Sequence, residues 1–141
     1  MEPYANPSSA YKDARVRTAG QGQLIVMLYD EAIKQLDAAT GALDAGSKKL
    51  DDIHNAITKA QNIITELTAS LDFDKGGEMA KNLFNLYMYF NQQLTEGNIR
   101  KDAASLRVVR NFMAQIRDSW VQIANTQVQS PPSVPGVNIA G

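Results

Sequence analysis

Apolar residues recur along the chain at alternating steps of three and four, the spacing that places them on one face of an α-helix. In the first run, Ile25, Tyr29, Ala32, Leu36, Ala39 and Leu43 form a seam like that of a coiled coil. Gly46-Ser47 interrupts it, and Leu50, Ile53, Ile57, Ala60, Ile64, Leu67 and Leu71 repeat the rhythm in a second helix. The stretch DFDKGG then breaks the chain with two consecutive glycines. Ala80, Leu83, Tyr87, Phe90 and Leu94 line a third helix, which Gly97-Asn98 is expected to end. Asp102 is a candidate N-cap for a fourth, whose stripe is Leu106, Val109, Met113, Ile116, Trp120 and Ile123. No segment calls for a strand. Four striped helices, each ~30 Å long and joined by short breaks, bury their faces most simply against one another. The expected fold is therefore all-α, an antiparallel four-helix bundle over residues 21–127, with a mobile N-terminal arm (1–20) and a disordered Pro/Gly-rich C-terminal tail (128–141).

These stripes already fill a bundle core, so apolar residues outside them carry the information about function. The run LIVMLY, residues 24 to 29, points all the way round its helix and leaves Leu24, Met27 and Leu28 over. In the third helix LFNLYMYF leaves Phe84, Leu86, Met88 and Tyr89. A wide core or a covering arm would absorb any one of them, but two such runs point to a groove for a partner helix.

Length and charge narrow the partner. A chain of 141 residues makes one domain with one sizeable core. Its 14 Lys and Arg against 15 Asp and Glu leave a formal charge of −1, which gathers neither nucleic acid nor an anionic membrane. No cysteine is present, so no disulfide or thiolate metal site is available, as suits a reducing compartment. MEPYANPSSAYKDARVR lacks the apolar core of a signal peptide, and no apolar run approaches a membrane span. The expectation is a cytoplasmic, protein-binding chain without membrane insertion.

Catalytic signatures are weak. The single histidine, His54, sits one step past Ile53 at the edge of the predicted core. In a four-helix bundle it invites comparison with phosphotransfer domains, yet the lysine and glycine that usually follow such a histidine by a turn are missing. Asp72-Phe73-Asp74-Lys75-Gly76-Gly77 has the opening of a calcium loop, but its twelfth position is Leu83 where a bidentate Glu is required, so a helix-breaking turn is expected. Gly20-Gln21-Gly22 lacks the third glycine of a dinucleotide fingerprint and reads as a hinge. The adjacent acids Asp30-Glu31 and Asp51-Asp52 diverge on a helix and read as solvated faces. No cofactor is implied. A phosphotransfer module using His54 and a self-assembling structural bundle remain the alternatives to a binding protein.

More specific is a set of short motifs. Tyr11, Val16-Arg17-Thr18-Ala19, Leu24-Ile25 and Met27-Leu28-Tyr29-Asp30 with Ala32-Ile33 stand at one end of the chain. Ala60–Leu67 (AQNIITEL), Ser70-Leu71-Asp72, Gly76-Gly77, Asn82-Leu83, Leu86-Tyr87, Asn98, and Arg117 with Trp120 follow in order. Over roughly residues 11 to 124 this resembles the flagellin export chaperones, the FliS family. The chain departs from the pattern at Gly20-Gln21, where the family usually has Ser-Pro, and at Gly97, where an alanine commonly precedes the asparagine. The resemblance implies a cytoplasmic chaperone, not an enzyme. Such a chaperone binds the C-terminal segment of flagellin, prevents its premature polymerisation and assists delivery to the flagellar type III export gate. It would be a monomer or weak homodimer and need no ATP. The candidate flagellin-binding set is Tyr11, Val16, Leu24, Leu28, Tyr29, Phe84, Tyr87 and Met88, in a groove of the first and third helices. Gly20 and Gly22 would let the arm fold back, so that Tyr11 and Val16 cover the second face of LIVMLY until a client displaces them.

Overall fold

The computed structural model of the chain describes residues 21–127, and in that span the four stripes become four helices: α1 (Gln21–Asp44), α2 (Leu50–Ala69), α3 (Phe73–Arg100) and α4 (Ala103–Gln127). No strand occurs among the described residues. α1 packs on α2 and α4, α3 packs on the same two, and α1 and α3 stand on the diagonal. The chain ordering is antiparallel throughout. On α1 and α4, Asp30 pairs with Arg117 at 2.7 Å, Asp37 with Arg110 at 2.9 Å, and Asp44 with Arg107, so one number falls as the other rises. Each of these pairs is partly exposed and contributes little stability alone. Together they mark the register between two helices.

Burial follows the sequence stripes closely. Ile25, Tyr29, Ala32, Leu36 and Ala39 of α1 are buried, as are Ile53 through Leu67 of the α2 stripe and all five stripe residues of α3. α4 contributes Leu106, Val109, Met113 and Trp120. A few stripe positions escape full burial: Leu43, Leu71, Ile116 and Ile123 are half-buried against the core, and Leu50 is exposed. Small residues, Ala32 and Ala39 on α1 with Ala56 and Ala60 on α2, let those two backbones approach closely, whereas α3 meets the core through Leu83, Tyr87, Phe90 and Leu94.

Two breaks differ from expectation. DFDKGG does not separate two helices cleanly. Asp72 caps α3, its Oδ1 accepting from Asp74 N at 3.0 Å and Lys75 N at 3.1 Å, so the helix begins within the motif. Its first turn is then kinked at Gly77, whose φ of 50° and ψ of −125° are open to glycine and costly for other residues. Nor does α3 end at Gly97-Asn98. It runs on to Arg100, and its C-cap is Lys101 in the left-handed region at φ 52°. Gly97 is a helical residue at a close crossing, where a Cβ would lie 2.8 Å from Leu106 Cδ2 and 3.3 Å from Ser105 Cβ. The glycine signal was a packing signal. Asp102 does begin α4, its Oδ1 accepting from Ala104 N at 3.0 Å.

Gly97 and Gly41 should therefore respond oppositely to substitution. Gly97→Val overfills the crossing with buried Leu106 and should cost about 1–3 kcal/mol. Gly41 lies inside α1 with open space around its Cβ position, and Gly41→Ala should stabilise by about 0.5–1 kcal/mol. Urea denaturation followed by helical circular dichroism measures both.

Candidate functional site

At the centre of the bundle the hydroxyls of Tyr29 and Tyr87 meet at 2.7 Å, a hydrogen bond across the diagonal between α1 and α3. Both side chains are buried, which is why a phenol that keeps its proton is strongly favoured. Burial pushes Tyr87 up to about 12, with its hydrogen bond to Tyr29 opposing slightly. Burial drives Tyr29 higher still, with Tyr87 adding to the shift, while the indole of Trp120 on α4 works the other way. Tyr29, Tyr87 and Trp120 thus bring three helices to one point.

The candidate binding residues are placed at different depths in the bundle. Tyr29, Tyr87 and Leu24 are buried, because each falls on a face that the neighbouring helices close, and none presents a free surface in this state. Leu28 and Met27 are half-buried, and Leu28 packs against the core. Tyr11 and Val16, with the arm that would cover LIVMLY, lie outside the described residues. Phe84 and Met88 are the two candidates that do reach the surface, 38% and 49% exposed.

The exposed apolar side chains gather around α3. Gln61 of α2 donates to Asn91 O at 3.2 Å and to Thr95 Oγ1 at 2.9 Å, and Asn98 Nδ2 donates to His54 Nδ1 at 2.9 Å. Residues 91, 95 and 98 therefore mark the α2-facing flank of α3, and steps of three and four carry that flank back to Met88 and Phe84. Phe73 joins it, its ring edge-on to Phe84 with centroids 5.9 Å apart. On the other flank Tyr89 contacts Phe90, which in turn meets Phe112 of α4 at 5.9 Å. Between Lys81 and Glu96 the chain holds no charged residue, so both flanks are apolar or amide-lined. The half-exposed Phe112 and Val108 were missed in the sequence. Their i, i+4 spacing off the α4 stripe is the same signal as in α3, but two residues make a short run.

His54 is exposed and its Nδ1 accepts from Asn98, whose own Oδ1 and backbone carbonyl take the Lys101 ammonium at 2.7 Å each. The Asp72 carboxylate is spent on the α3 cap. Among the described residues no three His, Asp or Glu side chains converge as metal ligands, and no helix is long and apolar enough to cross a membrane. Asp30 and Glu31 diverge as expected, one to Arg117 and the other to Gln35.

The bundle's surplus of apolar side chains lies on the exposed flanks of α3, and comparison with known proteins supplies the family. The family model described as flagellar protein FliS matches residues 4–127. The chain belongs to the FliS family. The flagellar secretion chaperone FliS of Salmonella typhimurium is 38% identical over 113 residues, covering 79% of this chain and 82% of the relative. That of Bacillus subtilis is 30% identical over 122 residues, covering 86% and 89%. FliS proteins form a chaperone family and not an enzyme family, and the bundle described here is the FliS scaffold on which three of the resemblance-bearing residues, Tyr29, Tyr87 and Trp120, meet.

The tyrosine pair yields two expected outcomes. Tyr29→Phe or Tyr87→Phe leaves one buried hydroxyl unpaired and should cost about 1–3 kcal/mol, while the double variant should cost less than the sum, as a double-mutant cycle in urea will read. The unfolded tyrosines ionise near pH 10 and the folded ones above it, so the unfolded state sheds protons first as pH rises. Stability should hold below about pH 10 and fall beyond it, and the double phenylalanine variant should lose much of that alkaline slope.

Proposed function

We propose that the chain holds the C-terminal segment of flagellin in the cytoplasm, keeps it from polymerising and assists its delivery to the flagellar type III export gate. The observation that carries this reading is the uncharged stretch of α3 between Lys81 and Glu96, with Phe84, Met88 and Tyr89 exposed on a bundle whose core is already full. Membership of FliS and the relatives named flagellar secretion chaperones support it. A client that must stay unassembled presents apolar stripes of its own, and a rigid helix face with apolar grooves on either side satisfies them without requiring the chaperone to unfold. Methionine suits this role, since its unbranched side chain adapts to more than one contact. Phe84 and Met88 are the proposed contact residues from the original set. Tyr29 and Tyr87 hold α3 in place from beneath.

The test is capture of a peptide from the C-terminus of the host's own flagellin, quantified by titration. Phe84→Asp and Met88→Asp should each weaken binding by roughly tenfold or more with helical signal and urea midpoint preserved. Leu28→Asp should instead lower stability, because Leu28 packs on the core. Unchanged peptide affinity in both α3 variants sinks the assignment of this face.

A further inference from the structure

The turn that opens α3 is set apart from the rest of the helix by its backbone. Gly77 stands at φ 50° and ψ −125°, a combination open to glycine and costly for a residue with a side chain, although no atom lies within 4 Å of where a Cβ would be. The constraint is one of conformation, not of crowding. Residues 72 to 76 hydrogen-bond among themselves: Asp72 Oδ1 accepts from Asp74 N and Lys75 N, and Asp72 O accepts from Gly76 N at 2.8 Å. An open hollow of about 430 Å³, lined by Ala69 to Asp74, lies against the turn. The turn is thus a small unit closed on itself, with room beside it, between half-buried Leu71 and buried Gly76.

Its one large side chain, Phe73, is half-exposed and meets Phe84 edge to face, with ring centroids 5.9 Å apart and planes at 67°. Phe84 belongs to the fixed body of the helix, since Tyr87, one turn on, is buried and hydrogen-bonded to Tyr29. The pair therefore joins a ring on a hinged turn to a ring on a rigid face. We propose that this turn is an autoinhibitory flap: Phe73 occupies the surface beside Phe84 in the free protein and leaves it when an apolar partner docks on the Phe84–Met88 flank. In naming that flank as the docking face the inference rests on the proposed function.

The distribution of charge makes Phe73 a competitor for the partner and not part of its seat. Asp72, Asp74, Lys75 and Glu78 surround it in sequence, whereas α3 is uncharged from Asn82 through Thr95. An apolar client laid on the flap would strip water from ionic groups, and one laid on the uncharged stretch would not. The aromatic pair also has the right strength. It adds a modest increment beyond the area it buries, enough to bias the flap closed and little enough to be exchanged for client contacts. A flap open one-tenth of the time weakens the apparent affinity of the client about tenfold, so the closed state sets a threshold for binding without forbidding it.

Variants of the full chain test the flap. Phe73→Ala should tighten binding of the C-terminal peptide of the host's flagellin by about two- to tenfold, the opposite of what removing a contact ring does. Gly77→Ala touches neither ring but penalises the closed backbone, and it should shift affinity in the same direction. Urea midpoints check that both variants stay folded. In the free wild-type protein a nuclear Overhauser contact between the Phe73 and Phe84 rings should be present, and it should weaken in Gly77→Ala. On saturation with peptide it should vanish, while amide exchange rises at residues 73–77 and falls along Leu83–Leu94. Affinity that is unchanged or weakened in Phe73→Ala overturns the proposal, as does a ring contact that persists in the complex. If the wild-type chain fails to capture the peptide, the chaperone reading falls and the free-state ring contact decides the flap by itself. Its loss in Gly77→Ala then supports a hinge at that glycine, and its retention there overturns it.

Discussion

A hydrogen bond between the Tyr29 and Tyr87 hydroxyls joins the two helices that stand on the diagonal of the bundle. Buried hydroxyls are costly unless matched, so sliding α1 against α3 by even a turn would strand both. That requirement fixes the diagonal of the bundle, and α2 and α4 are packed into the spaces on either side of it. The Asp–Arg ladder between α1 and α4 and the crossing of Gly97 on Leu106 both follow the register so set.

The diagonal is also unequal at its two ends. α1 contributes alanines at positions where its neighbours come close, and α3 contributes Tyr87, Phe90 and two leucines that hold it away. A helix held off by large side chains keeps its flanks open, and on α3 those flanks carry Phe84, Met88 and Tyr89 where α1 carries charged partners for α4. Three charged pairs thus lie along the closed α1–α4 seam, and exposed apolar side chains along α3. This division leaves apolar side chains at the surface without loosening the core. Amide side chains such as Asn85 and Gln92 intersperse the apolar ones, which limits the size of any continuous greasy patch.

Much of the molecule was legible in the sequence because helix stripes are local. Burial at every third or fourth residue is imposed by helix geometry itself, so Ile25 through Ala39, Ile53 through Leu67 and Ala80 through Leu94 announced their faces before any neighbour was known. Asp102 was readable as an N-cap for the same reason, since its carboxylate serves an amide two residues away. The motifs that resemble FliS were equally local, and they pointed to the family.

What only the tertiary structure decided were the contacts between distant segments. Leu24 looked like surplus from LIVMLY, and the neighbouring helices closed over it; Tyr29, already on the core stripe, found its partner Tyr87 58 residues away. Gly97 looked like a stop and proved to be clearance for Leu106. Phe112 joined the exposed surface because Phe90 of another helix lies beneath it, a relation that no period in α4 encodes. A sequence period states which face of a helix is apolar. Whether an extra apolar residue is core or contact surface depends on how many neighbours stand beside that face, and on this bundle α3's neighbours leave its flanks open.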